Sequence, residues 1–165
     1  MQTELELKGI PNTVTNISWN PDGKSIAVNE NKSIKIIDII TGKKICMLQG
    51  HTHEVIDISY SPDGKQIVSC SEDQTIKLWD VFTGKEILTM RGHTHDVVTV
   101  CFSPDGKYIA SGSVDKTGKV WENGKDILTI KHETFIGSIN FSLDSHKIAT
   151  SDFLNNIKIN SIPPV

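Results

Sequence analysis

Apolar positions along the chain come in sets of three. Val14, Ile17 and Trp19 are followed at the same internal spacing by Val55, Ile58 and Tyr60, by Val97, Val100 and Phe102, and by Ile136, Ile139 and Phe141. An i, i+3, i+5 pattern alone fits either a helix or a strand. The residues just after each set decide between the two. Asn20-Pro21-Asp22-Gly23-Lys24, Ser61-Pro62-Asp63-Gly64-Lys65 and Ser103-Pro104-Asp105-Gly106-Lys107 are tight-turn sequences, and Ser142-Leu143-Asp144-Ser145-His146-Lys147 is a worn version of them. A strand with a bulge, entering a hairpin, is predicted at each. A second strand comes next (Gln66 to Ser71, Tyr108 to Ser113), then a turn carrying Asp73 or Asp115. Thr75-Ile76-Lys77-Leu78-Trp79 alternates as a third strand, and after a Thr-Gly-Lys turn Glu86 to Met90 supplies a fourth.

These landmarks keep one beat. Pro21, Pro62 and Pro104 are 41 and 42 residues apart, and Leu143 lies 39 further on. Gly50-His51, Gly92-His93 and Lys131-His132 are spaced 42 and 39; Ile37, Trp79 and Trp121 are spaced 42 and 42. A repeat of this length holding four short antiparallel strands matches one blade of a β-propeller, a sheet that must bury its faces on neighbours. The chain then reads as a single domain over residues 1–165, with repeats over approximately 9–49, 50–91, 92–131 and 132–162. Residues 1–8 stand apart as an outer strand, because Thr3 to Lys8 aligns with Lys44 to Gln49 and Lys85 to Arg91.

The run from Gly50-His51 through Ser61-Pro62-Asp63-Gly64-Lys65 to Trp79-Asp80 resembles a WD repeat, and the likeness extends over the whole chain. The resemblance implies an all-β propeller: four blades of four antiparallel strands, the N-terminal strand completing the last blade in cis or in a partner chain. It also implies a buried tetrad in each blade, namely His51, Ser69, Asp73 and Trp79 in the second repeat and His93, Ser111, Asp115 and Trp121 in the third. The outer repeats depart from it. The first has Gly9-Ile10 in place of Gly-His, Asn31 in place of the Asp and Ile37 in place of the Trp; the last keeps His132 and Thr150, with Leu154 and Asn160 in the Asp and Trp places. Apolar packing is expected to hold those two blades. Four blades closing on themselves would need roughly 90° between neighbours, against about 45° for eight, and Trp19, Tyr60, Phe102 and Phe141 would crowd the centre. Two chains forming one eight-bladed ring is the expected solution; the alternative is a non-functional or partial fragment of a longer seven- or eight-bladed propeller.

Composition narrows the partners. A net charge of -3, with lysines scattered among nearly equal numbers of acids, disfavours a phosphate-gripping surface and hence nucleic acid. Cys46, Cys70 and Cys101 are too widely spaced for a metal cluster and read as reduced, buried thiols. The acidic, alternating start is unlike a signal peptide, and no apolar run approaches the ~20 residues that span a bilayer, so a cytoplasmic protein is expected.

Candidate chemistry is sparse. The Ser, His and Asp of each central repeat mimic a hydrolase triad, but the tetrad accounts for all three. Gly23-Lys24-Ser25 resembles the end of a phosphate loop, yet Ser18 stands where the first glycine is required. His53 and His95 lack partners at metal-ligand spacing. The expectation is therefore a scaffold or adaptor for protein–protein interaction, not an enzyme, with no cofactor and no metal. By resemblance, the partner-binding positions on the top face are Glu54, Ile56, Glu72, Asp96, Val98, Val114, Phe135 and Phe153, with Thr13, Thr15 and Glu30 added from the first repeat. Acids around apolar side chains suit a basic peptide with an apolar anchor. Trp79-Asp80-Val81-Phe82 lacks the Trp-Asp-x-Arg often seen in family members that dock on cullin-ligase adaptors.

Overall fold

The structure, a computed structural model, describes residues 14–163. They form four antiparallel sheets whose strands follow one another in chain order. The first sheet holds β1 (Ile17–Trp19), β2 (Ser25–Glu30), β3 (Ser33–Asp38) and β4 (Lys44–Gln49). The second holds β5 (Val55–Tyr60), β6 (Gln66–Ser71), β7 (Ile76–Asp80) and β8 (Glu86–Met90). The third holds β9 (Val97–Phe102), β10 (Ile109–Ser113), β11 (Thr117–Glu122) and β12 (Lys125–Lys131). The fourth has three strands among the described residues, β13 (Ile136–Phe141), β14 (Lys147–Asp152) and β15 (Ile157–Ser161). The outer strand expected at residues 1–8, together with Gly9, Ile10 and Thr13, lies outside the described residues.

Local sequence explains the strand breaks. In the second hairpin Gly64 takes φ +71°, the left-handed conformation that a side chain disfavours, and its N–H bonds to the Ser61 carbonyl at 2.9 Å. Asp63 holds the same turn by accepting from the Ser61 hydroxyl at 2.7 Å and the Lys65 N–H at 3.1 Å. In the fourth sheet Ser145 adopts φ +61° where the others have glycine, which is why that turn looks worn in the sequence. The inner strands carry the expected bulges: the pairing of β5 with β6 shifts between Val55 and Asp57, and that of β13 with β14 between Ile136 and Ser138.

Sheet stacks on sheet. Ala27, Ile34, Ile36 and Leu48 of the first meet Ile58, Tyr60, Ile67 and Trp79 of the second. Val68, Cys70, Ile76 and Met90 then meet Val97, Val100, Ile109 and Trp121, and Ala110, Val120 and Ile130 meet Ile139 and Ile148. Burying these side chains contributes about 1.5–3 kcal/mol apiece, so a sheet is stable only in its stack. A polar seam runs along the inner edge. Asp57 accepts from Asn16 Nδ2 at 2.6 Å and from the Val100 N–H at 2.9 Å, tying three consecutive sheets to one carboxylate whose pKa burial raises.

Candidate interaction face

The loops joining β4 to β5 and β6 to β7, and their counterparts in the later sheets, share one end of the stack, and a buried network locks them together. His51 contacts Asp73 through Nδ1 and Ser69 through Nε2, both at 2.8 Å, and the Trp79 indole N–H reaches Ser69 Oγ at 2.8 Å. The third sheet repeats this geometry: His93 meets Asp115 and Ser111 at 2.8 Å, and Trp121 reaches Ser111 at 2.8 Å. Proton accounting fixes the roles. A carboxylate only accepts, so Nδ1 carries the proton; Nε2 then accepts from the serine hydroxyl, whose lone pair takes the indole N–H. Burial alone would raise the Asp73 pKa, but donation from His51, the Thr75 hydroxyl and the Thr52 N–H outweighs it and holds the carboxyl well below the usual range. Asp115 is lowered in the same way, and burial lowers His93. Ser69 and Ser111 are fully buried with their hydroxyls already engaged, so a substrate cannot reach them.

The outer sheets correct the sequence reading. In the fourth, the carboxylate comes from Asp152, not from the Leu154 position: His132 meets Asp152 at 3.1 Å and Thr150 Oγ1 at 2.8 Å. Thr150 and Asp152 are two apart on β14 and face the same way, whereas Leu154 is exposed in the turn. Asp152 also accepts from the Asn156 carboxamide and backbone, and the sum of its bonds outweighs burial and brings its pKa down to about 2. This blade therefore has a polar network, contrary to the expected apolar one. Asn160, opposite Ile148 in the indole's place, leaves a buried Oδ1 without a partner among the described residues. In the first sheet Asn31 lies in a two-residue turn between Glu30 and Ser33, too short to offer the usual turn carboxylate. Asn29 acts instead, accepting from Asn16 N at 2.8 Å and donating to the Val55 carbonyl at 2.7 Å.

Above this network the predicted rim residues fall into pairs. One backbone bond recurs in three sheets: Glu72 N to Glu54 O at 3.1 Å, Val114 N to Asp96 O at 3.0 Å, and Phe153 N to Phe135 O at 3.3 Å. It places Glu54 beside Glu72, Asp96 beside Val114, and Phe135 beside Phe153. The two phenyl rings lie with centroids 4.0 Å apart, and Phe153 remains largely exposed. Ile56 and Val98 are half-buried below the rim; Thr15 is exposed on the first sheet. The opposite end carries exposed Lys24, Lys65 and Lys107, each two residues from an exposed aspartate of the same turn (Asp22, Asp63, Asp105). Among the described residues no group of His, Cys, Asp and Glu converges as a metal site, and no helix is long and apolar enough to cross a membrane.

Comparison with known proteins bears on this geometry. Residues 2–38, 42–80 and 84–122 each match the family described as WD domain, G-beta repeat. The second and third matches open just ahead of β4 and β8 and close with β7 and β11, so each joins one sheet's outer strand to the next sheet's first three. The chain is also 38% identical over 69 residues to the WD repeat-containing protein AAC3 of Dictyostelium discoideum, a stretch that is 41% of this chain and 14% of that protein. WD repeats generally mediate protein–protein interaction and are generally non-enzymatic. Matches over more than half its length, on sheets of the expected kind, make this chain a member of the WD-repeat family.

Proposed function

We propose that the chain is an interaction module that binds an extended basic segment of another protein across the rim of its second to fourth sheets. The observation that carries this reading is the order of the rim pairs. They run from two acids (Glu54, Glu72), through a mixed pair (Asp96, Val114), to two phenylalanines (Phe135, Phe153). A ligand with Lys or Arg at one end and an aromatic or aliphatic anchor at the other matches that gradient. The charges steer encounter and orientation, and the stacked rings supply the apolar contact that dominates affinity. The rigid tetrads beneath limit the entropy lost on binding.

The test is a selection of short peptides displayed against the protein, followed by binding to the Glu54→Lys, Asp96→Lys variant and to Phe153→Ala. Selected ligands should be rich in Lys and Arg beside one large apolar residue, weaken as salt rises, and lose affinity for both variants. Ligands without basic residues, or equal binding by both variants, would refute the assignment.

A further inference from the structure

One position just past the third strand carries an aliphatic residue in three of the four sheets. Asp38, Asp80 and Ser161 lie opposite Ser25, Gln66 and Lys147, and the residue after each is Ile39, Val81 or Ile162. Their N–H groups bond to the carbonyls of Lys24, Lys65 and His146 at 3.1, 3.0 and 2.9 Å. Val81 packs into the junction of the first and second sheets, where its carbonyl lies 4.0 Å from Cys46 Sγ, and Ile162 packs into the junction of the third and fourth. The third sheet has no such residue. Its turn consists of Asn123 and Gly124, both at positive φ, where the second sheet has the longer run Val81 to Gly84. Asn123 is exposed, and among the described residues no backbone N–H reaches the Lys107 carbonyl.

The junction of the second and third sheets is left open at that place. A groove of about 390 Å³ enters it, lined by Leu78, Leu88, Phe102, Ile109 and Trp121. Exposure records the gap. Ile36 and Val120 stand where Leu78 does at the neighbouring junctions and are fully buried, whereas Leu78 is half-buried. Ile67 and Ile148 are at 0% exposure where Ile109 is at 9%. Leu88, in the place that Cys46 takes in the first sheet, crowds Gly124 and fills part of the space, yet stays half-buried itself. The matching depression between the first and second sheets is lined by Val81, and none of Ile36, Cys46, Ile67 and Trp79 lines it.

We infer that this groove takes a Val or Ile side chain from an extended segment of another protein, which supplies in trans what Ile39, Val81 and Ile162 supply in cis. The chain's own copies identify the occupant: a β-branched aliphatic residue whose backbone N–H is directed at the carbonyl of the preceding hairpin, here that of Lys107. Burial of the side chain drives association, and the carbonyl fixes the direction in which the segment runs. The groove opens among the turns at the end of the stack opposite the acidic and aromatic rim. One chain can therefore hold a ligand at each end, and this site does not rest on the basic-peptide reading.

The probe is an acetylated tripeptide amide copying Val81-Phe82-Thr83, titrated into the full chain with its leucine and isoleucine methyl groups isotope-labelled for NMR. Saturable shifts are expected at Leu78, Leu88 and Ile109, with nuclear Overhauser contacts from those methyls to the peptide valine. A peptide with glycine in place of the valine should bind at least about tenfold more weakly, the ratio that burying one valine side chain supports. N-methylation of the valine should weaken binding too. Replacing Asn123-Gly124 by the sequence Val-Phe-Thr-Gly fills the groove from within, and should raise Tm and abolish the shifts. Absence of saturable shifts, equal binding of the valine and glycine peptides, shifts centred on the rim, or binding that survives the longer turn would overturn the inference. Shifts of the same methyls on concentrating the protein alone would assign the groove to a second copy and overturn it as well. The contacts on the parent chain decide the matter even where the longer turn does not fold.

Discussion

Replacing Ser69 by alanine removes a single oxygen, and with it the hub of a buried network. The hydroxyl takes the Trp79 indole N–H and gives its proton to His51 Nε2, each at 2.8 Å, with no exposure to water. After Ser69→Ala both groups stay buried without partners. Each such orphan costs about 1–3 kcal/mol, so the variant should lose roughly 2–4 kcal/mol. Against a total stability of about 5–15 kcal/mol that is a large fraction. For a chain of this size it corresponds to a fall in Tm of about 5–15 °C. Thermal and urea unfolding of the purified protein measure it. A cycle with Trp79→Phe separates the network from simple truncation: with the indole N–H gone, Ser69→Ala should cost about 1–2 kcal/mol less. A loss below about 0.5 kcal/mol, or strict additivity in the cycle, would refute the proton assignment.

Three further outcomes are expected from the same structure. Asp152→Ala should lower Tm clearly while Leu154→Ala stays within about 0.5 kcal/mol of the parent, because only the former faces His132; equal effects in melting curves would return the carboxylate role to the turn. Stability should fall on acidification in two windows. His93 has its pKa lowered by burial, so its neutral-form contribution is complete above the unfolded value of 6.5 and is lost as pH drops through the folded value. Asp73, Asp115 and Asp152 are lowered from 3.8, so theirs persists above 3.8 and is lost as pH falls through their folded values, about 2 for Asp152; melts across this range check both, and His93→Gln should flatten the upper one. Gly112→Ala would set a Cβ 2.5 Å from Ile136 Cγ2 and 2.8 Å from Thr99 Cγ2, at the junction of the third and fourth sheets. It should cost about 1–3 kcal/mol by denaturant titration, against little change if the sheets can part.

Much of the fold was legible because its punctuation is chemical. A glycine at positive φ after Pro-Asp, and an Asp that caps its own turn, mark the first hairpin of the first three sheets whatever surrounds them. Alternation then assigns faces, so Ile76 and Trp79 are readable as pointing into opposite junctions before any coordinates exist. The central tetrads were legible for the same reason: His51 to Asp73 and His93 to Asp115 both span 22 residues, with a tryptophan at constant distance. What one chain's sequence does not display is the bond between loops. The pairing of Glu54 with Glu72 and of Phe135 with Phe153 arises from a backbone N–H and a carbonyl, groups that every residue here carries.

The fourth sheet shows where a fixed phase fails, and the reason is directional. Counting from His132 by the central spacing lands on Leu154, but a carboxylate serves the imidazole only if its Cβ leaves the strand on the imidazole's side. Thr150 and Asp152 share that side, and β14 runs through Asp152, so the strand itself aims the acid. In the central sheets the same site is filled by Ser71 and Ser113, whose hydroxyls are too short to reach the histidine; each accepts from the turn Asp N–H, and the turn delivers the carboxylate instead. Two sequences thus bring one charge to one place by different routes. Spacing is therefore a proxy for direction: the turn of the fourth sheet keeps the central length, and the acid has moved from the turn onto the strand. The first sheet makes the point from the other side: its turn is two residues long, no carboxylate can be hung on it, and the polar link moves down the strand to Asn29.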